Sequence, residues 1–461
     1  MLLLIKKFDT KSSFLKQLLF TPFDLIYSFL LLTLIFFWFL TRKKHNSKSV
    51  DSLLYLDTSY SLQQIREREL DYALYARECD GLFDRVWSIN PLVGADPDVK
   101  TCDSMSITSV SDVQKFVEIS VSNGSVSNNF AFSNFLKSQF KFLKYLYELI
   151  KTNQVGVVRT GDPIYLGLVG FWASRITGSP FIIRINSNYD LFYESNKRPA
   201  FPRLIRSIYL EKKIIKWVLL RADLIVASSE DNRNYVLSKG VDPKVVKIVG
   251  YGSLLNPLHY EDPSLRKGIR GELDIGGRPL ISSITRLESS KKVEQILEAL
   301  AYVVEAKPET VCVIAGDGSL RNSLNQKAIK EGLKENFLLV GNCSQTWLGS
   351  LLADSDVLMF PLAGRALVEA ALSGTPIVAY DVEWHHEIIQ TGISGILVES
   401  DNPQMMAKSV LSLLNDKKNS ERLAQNLRQK ILSEFASEDL IRLERNFVSD
   451  LLDRSNASEN K

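Results

Sequence analysis

Cysteine and histidine are scarce in this chain, with four of each among 461 residues. The cysteines lie far apart and form no Cys-x-x-Cys pair, so neither a disulfide framework nor a zinc site of paired cysteines is indicated. Scattered thiols of this kind are typical of a protein in a reducing compartment. The four are Cys79, Cys102, Cys312 and Cys343.

An excess of charge of one sign is also lacking over most of the sequence. The first fifty residues carry eight Lys or Arg and two Asp, whereas the remainder carries 48 basic and 51 acidic residues. A mildly acidic body lacks the concentrated positive charge with which proteins bind nucleic acids. We therefore expect no nucleic-acid partner.

Uncharged apolar runs of membrane-spanning length are absent except at residues 25–41 (LIYSFLLLTLIFFWFLT). Roughly 17 apolar residues just span a bilayer core. Asp24 precedes the run and three basic residues follow it, and no small-residue cleavage site lies behind it. The run therefore predicts an uncleaved single-pass transmembrane helix rather than a cleaved signal peptide.

The segments on either side of this run are less defined. Residues 1–24 have apolar side chains at helical spacing among lysines, which fits either an amphipathic helix in the membrane interface or a frayed tail. Residues 42–50 form a basic linker. Because Lys and Arg are equally frequent on both sides of the run, charge predicts no orientation.

From residue 51 onwards, strand patterns alternate with helical ones, which predicts two doubly wound α/β domains with parallel sheets. Residues 51–258 form the first predicted domain, 259–435 the second, 436–454 a terminal helix and 455–461 a disordered tail. The carboxyl ends of parallel strands are where ligands bind in such sheets. The function is therefore expected in a cleft between the two domains.

The segment Phe360–Asp381 (FPLAGRALVEAALSGTPIVAYD) holds the strongest site pattern in the chain. It predicts the end of a strand, a glycine turn at Gly364, a helix that carries Glu369, and a second strand. A glycine turn before a helix lets backbone N–H groups approach an anion, which the positive end of the helix dipole also favours. The pattern suits a phosphate group.

Residues from about 155 to 435 resemble the retaining glycosyltransferases of family 4, which have the GT-B fold of two facing doubly wound domains. In that family an Arg and a Lys five residues later clamp the diphosphate of the donor. The stretch TRLESSKK supplies Arg286 and Lys291. A forked guanidinium and an ammonium are suited to holding the two charges of a diphosphate and the charge on the leaving group.

The resemblance implies further donor contacts. Glu369 stands where the family has a carboxylate that binds ribose hydroxyls, and with Arg286 and Lys291 it forms the predicted catalytic set. The AGDGSLR turn resembles a loop near the nucleotide in the family, and turn geometry without ligand contact is the alternative. The predicted donor-binding residues are Gly316, Asp317, Gly318, Gly364, Arg365, Ala366 and Glu387.

Two departures from the family pattern concern the donor sugar. Pro361 stands where the first Glu of the E-x7-E pattern contacts that sugar, so catalytic competence is open. The run Glu383–Glu387 (EWHHE) replaces the usual glycine pair. We expect no metal at the adjacent histidines, because sequence neighbours rarely bind one ion, nor at Asp354-Ser355-Asp356, where the family has a structural Asp.

The first domain is the expected acceptor side. The predicted acceptor-side residues are Asp162, Arg184, Asn186, Asn188 and Ser229, with the pair Tyr251-Gly252. Family members often have His where this chain has Asn186, so no catalytic base is implied. The leaving phosphate of a retaining transferase can itself take the acceptor proton.

Together these patterns predict a retaining, metal-independent hexosyltransferase without a cofactor. It would move a sugar from a nucleotide-sugar donor to a lipid-linked or polysaccharide acceptor. Because nucleotide sugars are cytosolic, the catalytic body is expected at the cytoplasmic face of the membrane. Two alternatives stay open: a catalytically silent GT-B scaffold in an envelope polysaccharide assembly complex, and a sugar-nucleotide epimerase.

Overall fold

The computed structural model describes residues 52–93, 105–120, 131–201, 205, 207–251, 255–266 and 268–459. The predicted transmembrane helix at 25–41, its flanking segments, Cys102 and Gly252 lie outside these residues. Among the described residues, no helix is both long and apolar enough to cross a bilayer.

The first half of the chain builds an eight-stranded sheet in the order β3-β4-β2-β1-β5-β6-β7-β8. All neighbouring strands pair in parallel except β3 and β4, which form an antiparallel edge. The strands are β1 (Ser52–Leu56), β2 (Arg85–Val93), β3 (Met105–Ser109), β4 (Gln114–Ser120), β5 (Val157–Thr160), β6 (Phe181–Ile185), β7 (Leu224–Ala227) and β8 (Val246–Ile248).

Helices connect these strands. They are α1 (Leu62–Glu67), α2 (Tyr72–Tyr75), α3 (Ala131–Thr152), α4 (Tyr165–Thr177), α5 (Tyr189–Asn196), α6 (Ile208–Leu219) and α7 (Glu230–Ser238). The apolar spacing of residues 63–79 (QQIRERELDYALYAREC) predicts one helix. The structure divides it into α1 and α2, because Glu69 between them adopts a left-handed backbone with φ 55°. Helices α5 and α7 are additional to the predicted ones, and the side chains of Asn188 and Ser229 cap their first turns.

The second sheet has six parallel strands in the order β11-β10-β9-β12-β13-β14. Its first five strands confirm the strand patterns read from the sequence. They are β9 (Leu280–Ile284), β10 (Val311–Ala315), β11 (Phe337–Gly341), β12 (Val357–Phe360), β13 (Ile377–Tyr380) and β14 (Ile396–Val398).

Nine helices are described in the second half of the chain. They are α8 (Ile269–Glu272), α9 (Val293–Ala306), α10 (Arg321–Lys330), α11 (Gln345–Asp354), α12 (Ala366–Leu372), α13 (His385–Ile388), α14 (Pro403–Asn415), α15 (Lys417–Glu434) and α16 (Ser437–Glu459). The predicted two-domain α/β architecture of the GT-B type with parallel sheets is confirmed.

The central strands are buried on both faces. Every residue of β5, β10 and β12 is buried, as expected where helices cover both sides of a parallel sheet. Cys79 and Cys312 are free thiols within this packed interior, and Cys343 is partly buried.

The terminal helix α16 returns to the first sheet. Val448 and Leu452 pack into the cluster that contains Leu53. On the same helix, Glu444 accepts from Arg159 at 2.5 Å and from Arg184 at 3.2 Å. The helix continues to Glu459, past residue 455, where the tail was predicted to begin.

The carboxyl ends of the two sheets face each other. Arg198, after β6 and α5, lies 3.8 Å from Glu288, which follows β9. Glu69 in the first half accepts from both the backbone N–H and the hydroxyl of Thr346 at the start of α11. The loops that follow the strands of both sheets therefore line a common cleft.

Candidate active site between the two sheets

Arg286 and Lys291 lie on the loop that connects β9 to α9. Leu287 anchors this loop, since its side chain is fully buried and its N–H donates to the carbonyl of Asp317 at 3.0 Å. A short 3-10 turn at Ser289–Lys291 then leads to Lys292, whose left-handed backbone begins α9. Of the two predicted clamp residues, Arg286 thus precedes this turn and Lys291 ends it.

The glycines of the 316–318 turn support this loop. Gly316 has φ 140°, and a Cβ there would lie 1.9 Å from the carbonyl oxygen of Thr285. A Cβ on Gly318 would lie 2.5 Å from the carbonyl oxygen of Leu287. Any larger residue would separate the two loops, so these glycines are required by close backbone packing.

Asp317 is engaged within the same turn. Its carboxylate accepts from the N–H of Gly318 at 2.8 Å and from the guanidinium of Arg321 at 3.3 Å. The contacts of Gly316, Asp317 and Gly318 support the loop that carries Arg286 and Lys291. This agrees with the alternative in which these residues shape a turn without contacting the ligand. Their predicted contact with donor stays a prediction.

Within the part of the chain that the structure describes, no carboxylate pairs with Arg286 or Lys291. Neither side chain forms an ion pair within 4.0 Å with any described residue. Burial and then the charge of Arg286 lower the pKa of Lys291 to about 8, against an opposing effect of Glu383. Two adjacent, uncompensated cations form a site for an anion with more than one charge.

Glu369 lies on α12, where its side chain is almost fully buried at 2% exposure. Its Oε1 accepts from Nε of Arg365, one turn earlier, at 2.9 Å. Gly364 and Ala366 belong to the same turn, and the space beside the Gly364 Cα is open. The structure therefore joins the predicted residues Gly364, Arg365, Ala366 and Glu369 at one turn.

The loop between β13 and α13 is held firmly against residues 361–364. Nε1 of Trp384 donates to the carbonyl of Ala363 at 3.2 Å, and the N–H of Ala363 donates to Nε2 of His385 at 3.0 Å. Nδ1 of His385 therefore carries the proton and donates to the carbonyl of Tyr380 at 2.8 Å. The Trp384 ring packs on Tyr251 with centroids 4.8 Å apart.

Glu387 connects the two domains. Its two carboxylate oxygens accept from the backbone N–H groups of Glu230 and Asp231, each at 2.9 Å. These N–H groups are at the start of α7, where the backbone donors have no helical partner and the helix dipole favours negative charge. The structure places Glu387 in a contact between the domains, and the donor-binding role predicted for it stays a prediction.

The predicted acceptor-side residues lie at the carboxyl ends of β5, β6 and β7. Asn188 and Ser229 cap helices, as described above. Asn186 accepts from Arg184 through its side chain at 3.2 Å and from the Tyr251 hydroxyl through its carbonyl at 2.7 Å. Arg184 is buried and paired with Glu444, so the structure gives it a structural contact in place of an exposed position in the cleft.

Asp162 follows β5 and is 5% exposed. Its Oδ1 accepts from the N–H of Ile164 at 2.8 Å, whereas its buried Oδ2 has no hydrogen-bond partner among the described residues. Burial, with a smaller contribution from the charge of Asp57, raises the pKa of Asp162 to about 7, although the hydrogen bond from Ile164 opposes the shift. This carboxyl group therefore titrates near neutral pH.

The acidic and histidine pairs singled out in the sequence are engaged in structural contacts. Asp354 accepts from the N–H groups of Gly268 and Ile269 at 2.7 Å, and Asp356 accepts from Arg270 at 2.7 Å. His385 is buried, whereas His386 is exposed and 3.8 Å from Asp381. Within the described ranges, no three His, Cys, Asp or Glu side chains are grouped as metal ligands.

Comparison with known families matches both halves of the chain. Residues 266–430 match the family described as "Glycosyl transferases group 1", and residues 111–252 match "Glycosyltransferase Family 4". The protein is a glycosyltransferase. The boundary between the two matched regions falls between β8 and β9, where the first sheet ends and the second begins.

Among curated relatives, the glycosyltransferase is 25% identical over 315 residues to the Escherichia coli UDP-Gal:alpha-D-GlcNAc-diphosphoundecaprenol alpha-1,3-galactosyltransferase. That alignment covers 65% of this chain and 76% of the relative. It is 24% identical over 279 residues to the alpha-monoglucosyldiacylglycerol synthase of Streptococcus pneumoniae, covering 58% of this chain and 60% of the relative. The chain thus spans less than two thirds of the second relative.

Solved structures with the same fold include HepE of Anabaena in complex with UDP-glucose, with a TM-score of 0.65 and 16% identity over 87% of this chain and 99% of that one. Sucrose-phosphate synthase of Thermosynechococcus elongatus has a TM-score of 0.65 and 17% identity, covering 88% of the glycosyltransferase and 100% of that chain. These similarities show a shared fold.

Glu383, Trp384 and Glu444 are site or supporting residues to which the sequence patterns assigned no role. Glu383 and Trp384 could have been singled out because they stand in place of a glycine pair. For Glu444 no sequence signal exists, because its partners Arg159 and Arg184 lie at least 260 positions away in the chain.

Proposed function

We propose that this glycosyltransferase moves a sugar from a nucleoside diphosphate sugar to a lipid-linked or polysaccharide acceptor, with retention of configuration at the anomeric carbon. One observation carries the donor assignment. Arg286 and Lys291 lie on the loop that follows β9, close enough for their charges to interact, and neither has a carboxylate partner within 4.0 Å among the described residues. A diphosphate has the charge and size to complete such a pair.

Several arginines of the first domain that are buried or partly buried have carboxylate partners, and this contrast supports the proposal. Arg77 pairs with Asp57 at 3.0 Å, and Arg159 and Arg184 share Glu444. Arg286 is exposed and Lys291 is partly buried. An uncompensated cation in a partly buried position, such as that of Lys291, costs stability. Positive charge left unpaired in a cleft is therefore a sign of ligand binding.

The clamp also suits the chemistry of transfer. When the bond between the anomeric carbon and the phosphate oxygen breaks, negative charge grows on the departing diphosphate. Arg286 and Lys291 would stabilise that charge without reorganisation, since the buried Leu287 anchors their loop. The departing phosphate then takes the proton of the acceptor hydroxyl as the hydroxyl attacks the same face of the sugar.

Relatives support the acceptor class. The names of two relatives include a diphosphoundecaprenol-linked sugar and a diacylglycerol glycolipid. The apolar segment at 25–41 would keep the catalytic domains near such lipids. In this proposal the segment is a single-pass anchor and the domains lie on the cytoplasmic side, where nucleotide sugars are made.

A ligand screen tests donor binding directly. UDP-glucose, GDP-mannose and ADP-glucose would each be added to the purified protein at up to millimolar concentration, and the shift in melting temperature measured. We expect one nucleotide class to stabilise the protein. Arg286→Ala and Lys291→Ala should each abolish that stabilisation, whereas Lys334→Ala should retain it, because the Lys334 side chain is 72% exposed outside the clamp.

Product analysis separates the proposed transferase from its alternatives. The protein would be incubated with the stabilising donor, radiolabelled in its sugar, and with a membrane extract. Transfer of label to lipid or glycan supports the proposal. Binding without transfer is the result expected for a silent scaffold, and a changed sugar on the nucleotide is the result expected for an epimerase. If none of the nucleotide sugars binds, the enzyme assignment is contradicted.

A further inference from the structure

Glu383 has an unusual backbone for its residue type. It lies between the end of β13 at Tyr380 and the start of α13 at His385, and its φ is +49°. This left-handed conformation is adopted readily by glycine and rarely by residues with a side chain. Strain of this kind is often retained where the side chain has a function.

Neighbouring contacts hold Glu383 in this conformation. The next residue, Trp384, packs on Tyr251 from the first domain and donates to the carbonyl of Ala363. Four residues after Glu383, Glu387 binds the start of α7. The loop is thus fixed to both domains, so Glu383 has a defined position in the cleft between them.

The charged groups that interact with Glu383 are Lys291, Lys292 and Asp231. Burial raises the pKa of the Glu383 carboxyl group, the two lysines lower it, and Asp231 raises it. Glu383 forms no ion pair within 4.0 Å with either lysine. Lys292 instead pairs with Asp401 at 2.8 Å. The carboxylate is therefore near the clamp but does not neutralise it.

This arrangement distinguishes the two parts of a nucleotide-sugar donor. A carboxylate repels a diphosphate but accepts hydrogen bonds from sugar hydroxyl groups. The sugar is attached to the diphosphate, so it lies next to any site that the clamp holds. The facing loop after β12 begins with Pro361, Leu362, Ala363 and Gly364, which have no polar side chain, and its last residue, Arg365, donates to Glu369.

We propose that Glu383 binds a hydroxyl group of the donor sugar and so helps to determine which sugar is transferred. This inference rests on the proposed function, because it requires a nucleotide sugar on Arg286 and Lys291. Glu383 then contacts the sugar part of the donor alone. Its contribution is absent when the ligand is the nucleoside diphosphate without sugar.

The test compares two ligands in the same variants. The dissociation constants of UDP and UDP-glucose, or of the corresponding GDP or ADP pair if the screen selects it, would be measured by calorimetry for the wild type, Glu383→Gln and Glu383→Gly. We expect the sugar-bearing ligand to bind about tenfold more weakly to both variants. The nucleoside diphosphate should bind with an unchanged or slightly higher affinity. Asp381→Asn is the matched control, since this neighbouring side chain is 58% exposed.

Each other result contradicts this inference. Equal weakening of both ligands would make Glu383 a general support of the clamp, and equal strengthening would make it a competing counterion of Lys291. No change in either constant would leave the side chain without a donor role. Glu383→Gly also relieves the left-handed strain, so it should melt no lower than the wild type, which excludes misfolding as the cause. If the wild type binds neither ligand, the proposed function itself fails.

Discussion

Nε of Arg365 donates a hydrogen bond to Oε1 of Glu369 over 2.9 Å, one turn apart at the start of α12. The carboxylate is almost fully buried, whereas the arginine side chain is 25% exposed. A buried carboxylate needs such a partner, because an unpaired charge in the interior is costly. Arg365 therefore holds the carboxylate that is predicted to bind ribose.

Replacing Arg365 tests this relationship. Arg365→Ala leaves the Glu369 charge buried without its partner, and we expect a loss of about 1–3 kcal/mol in the free energy of unfolding. Urea denaturation followed by circular dichroism measures this loss. The double variant Arg365→Ala with Glu369→Gln should recover part of it, because the charge is then removed. No difference between the single and double variants would contradict the pairing.

Lys291 makes donor binding sensitive to pH. Its pKa is lowered to about 8, mainly by burial and then by Arg286, so the unliganded side chain loses its proton as pH rises through that value. A bound diphosphate favours the charged form, hence affinity is highest below pH 8 and decreases above it. We expect the dissociation constant for the donor nucleotide to rise several-fold between pH 7 and pH 9.

The variant Lys291→Arg provides the control for this pH effect, since arginine keeps its proton throughout the range. Calorimetric titrations of the nucleoside diphosphate at pH 7, 8 and 9 would compare the two proteins. A wild-type affinity that is flat with pH, or an equal slope in the variant, would show that Lys291 is not the titrating group.

Glu444 is expected to be the strongest single electrostatic contact of α16. Burial disfavours its charge, but Arg159 and Arg184 outweigh burial and lower the pKa of Glu444. Glu444→Ala leaves two buried guanidinium groups without a carboxylate, so we expect a loss of about 3–5 kcal/mol in the free energy of unfolding. Glu438→Ala on the same helix is the control, because its side chain is 86% exposed and should change stability little.

The same group predicts a response to acid. Because the folded-state pKa of Glu444 lies below its unfolded value, its stabilising effect is present above the unfolded pKa and is lost as pH falls through the folded one. Urea midpoints measured from pH 6 downward should fall more steeply for the wild type than for Glu444→Ala. Parallel curves would contradict this assignment.

Asp162 has the opposite relation between pH and stability. Its pKa is raised to about 7, chiefly by burial and then by Asp57, so its folded form favours the protonated carboxyl group. Stability from this group is full below the unfolded pKa and is lost as pH rises through 7. Asp162→Asn keeps an acceptor for the N–H of Ile164 and carries no charge. We therefore expect this variant to be more stable than the wild type at pH 8, by about 1–2 kcal/mol.

Thermal unfolding at pH 5 and pH 8 measures this difference. The gain in stability of Asp162→Asn over the wild type should be smaller at pH 5, where the wild-type carboxyl group is protonated in the folded state. Asp57→Asn is a useful comparison, since it breaks the pair with Arg77 and should destabilise the protein at both pH values. A gain for Asp162→Asn that is equal at both pH values would show that its charge is not the cause.

Local patterns predicted the repeated elements and the clamp. Short, mostly apolar runs between amphipathic segments identified the central strands, because a strand buried on both faces carries few polar side chains. Arg286 and Lys291 lie on the same short loop, so their proximity could be predicted from the sequence alone. The break of the 63–79 helix at Glu69 was not predicted, because left-handed glutamate has no sequence signal.

The α/β alternation, the two-domain architecture and the pair of cations therefore follow from local sequence patterns. Only the tertiary structure decided which charges are already satisfied. Arg184 pairs with Glu444, and Glu369 pairs with Arg365. Glu387 accepts hydrogen bonds from the start of α7. Arg286 and Lys291 have no such partner among the described residues. Most of these pairs join residues far apart in the chain, and whether a charge is paired depends on distances that only the packed fold sets.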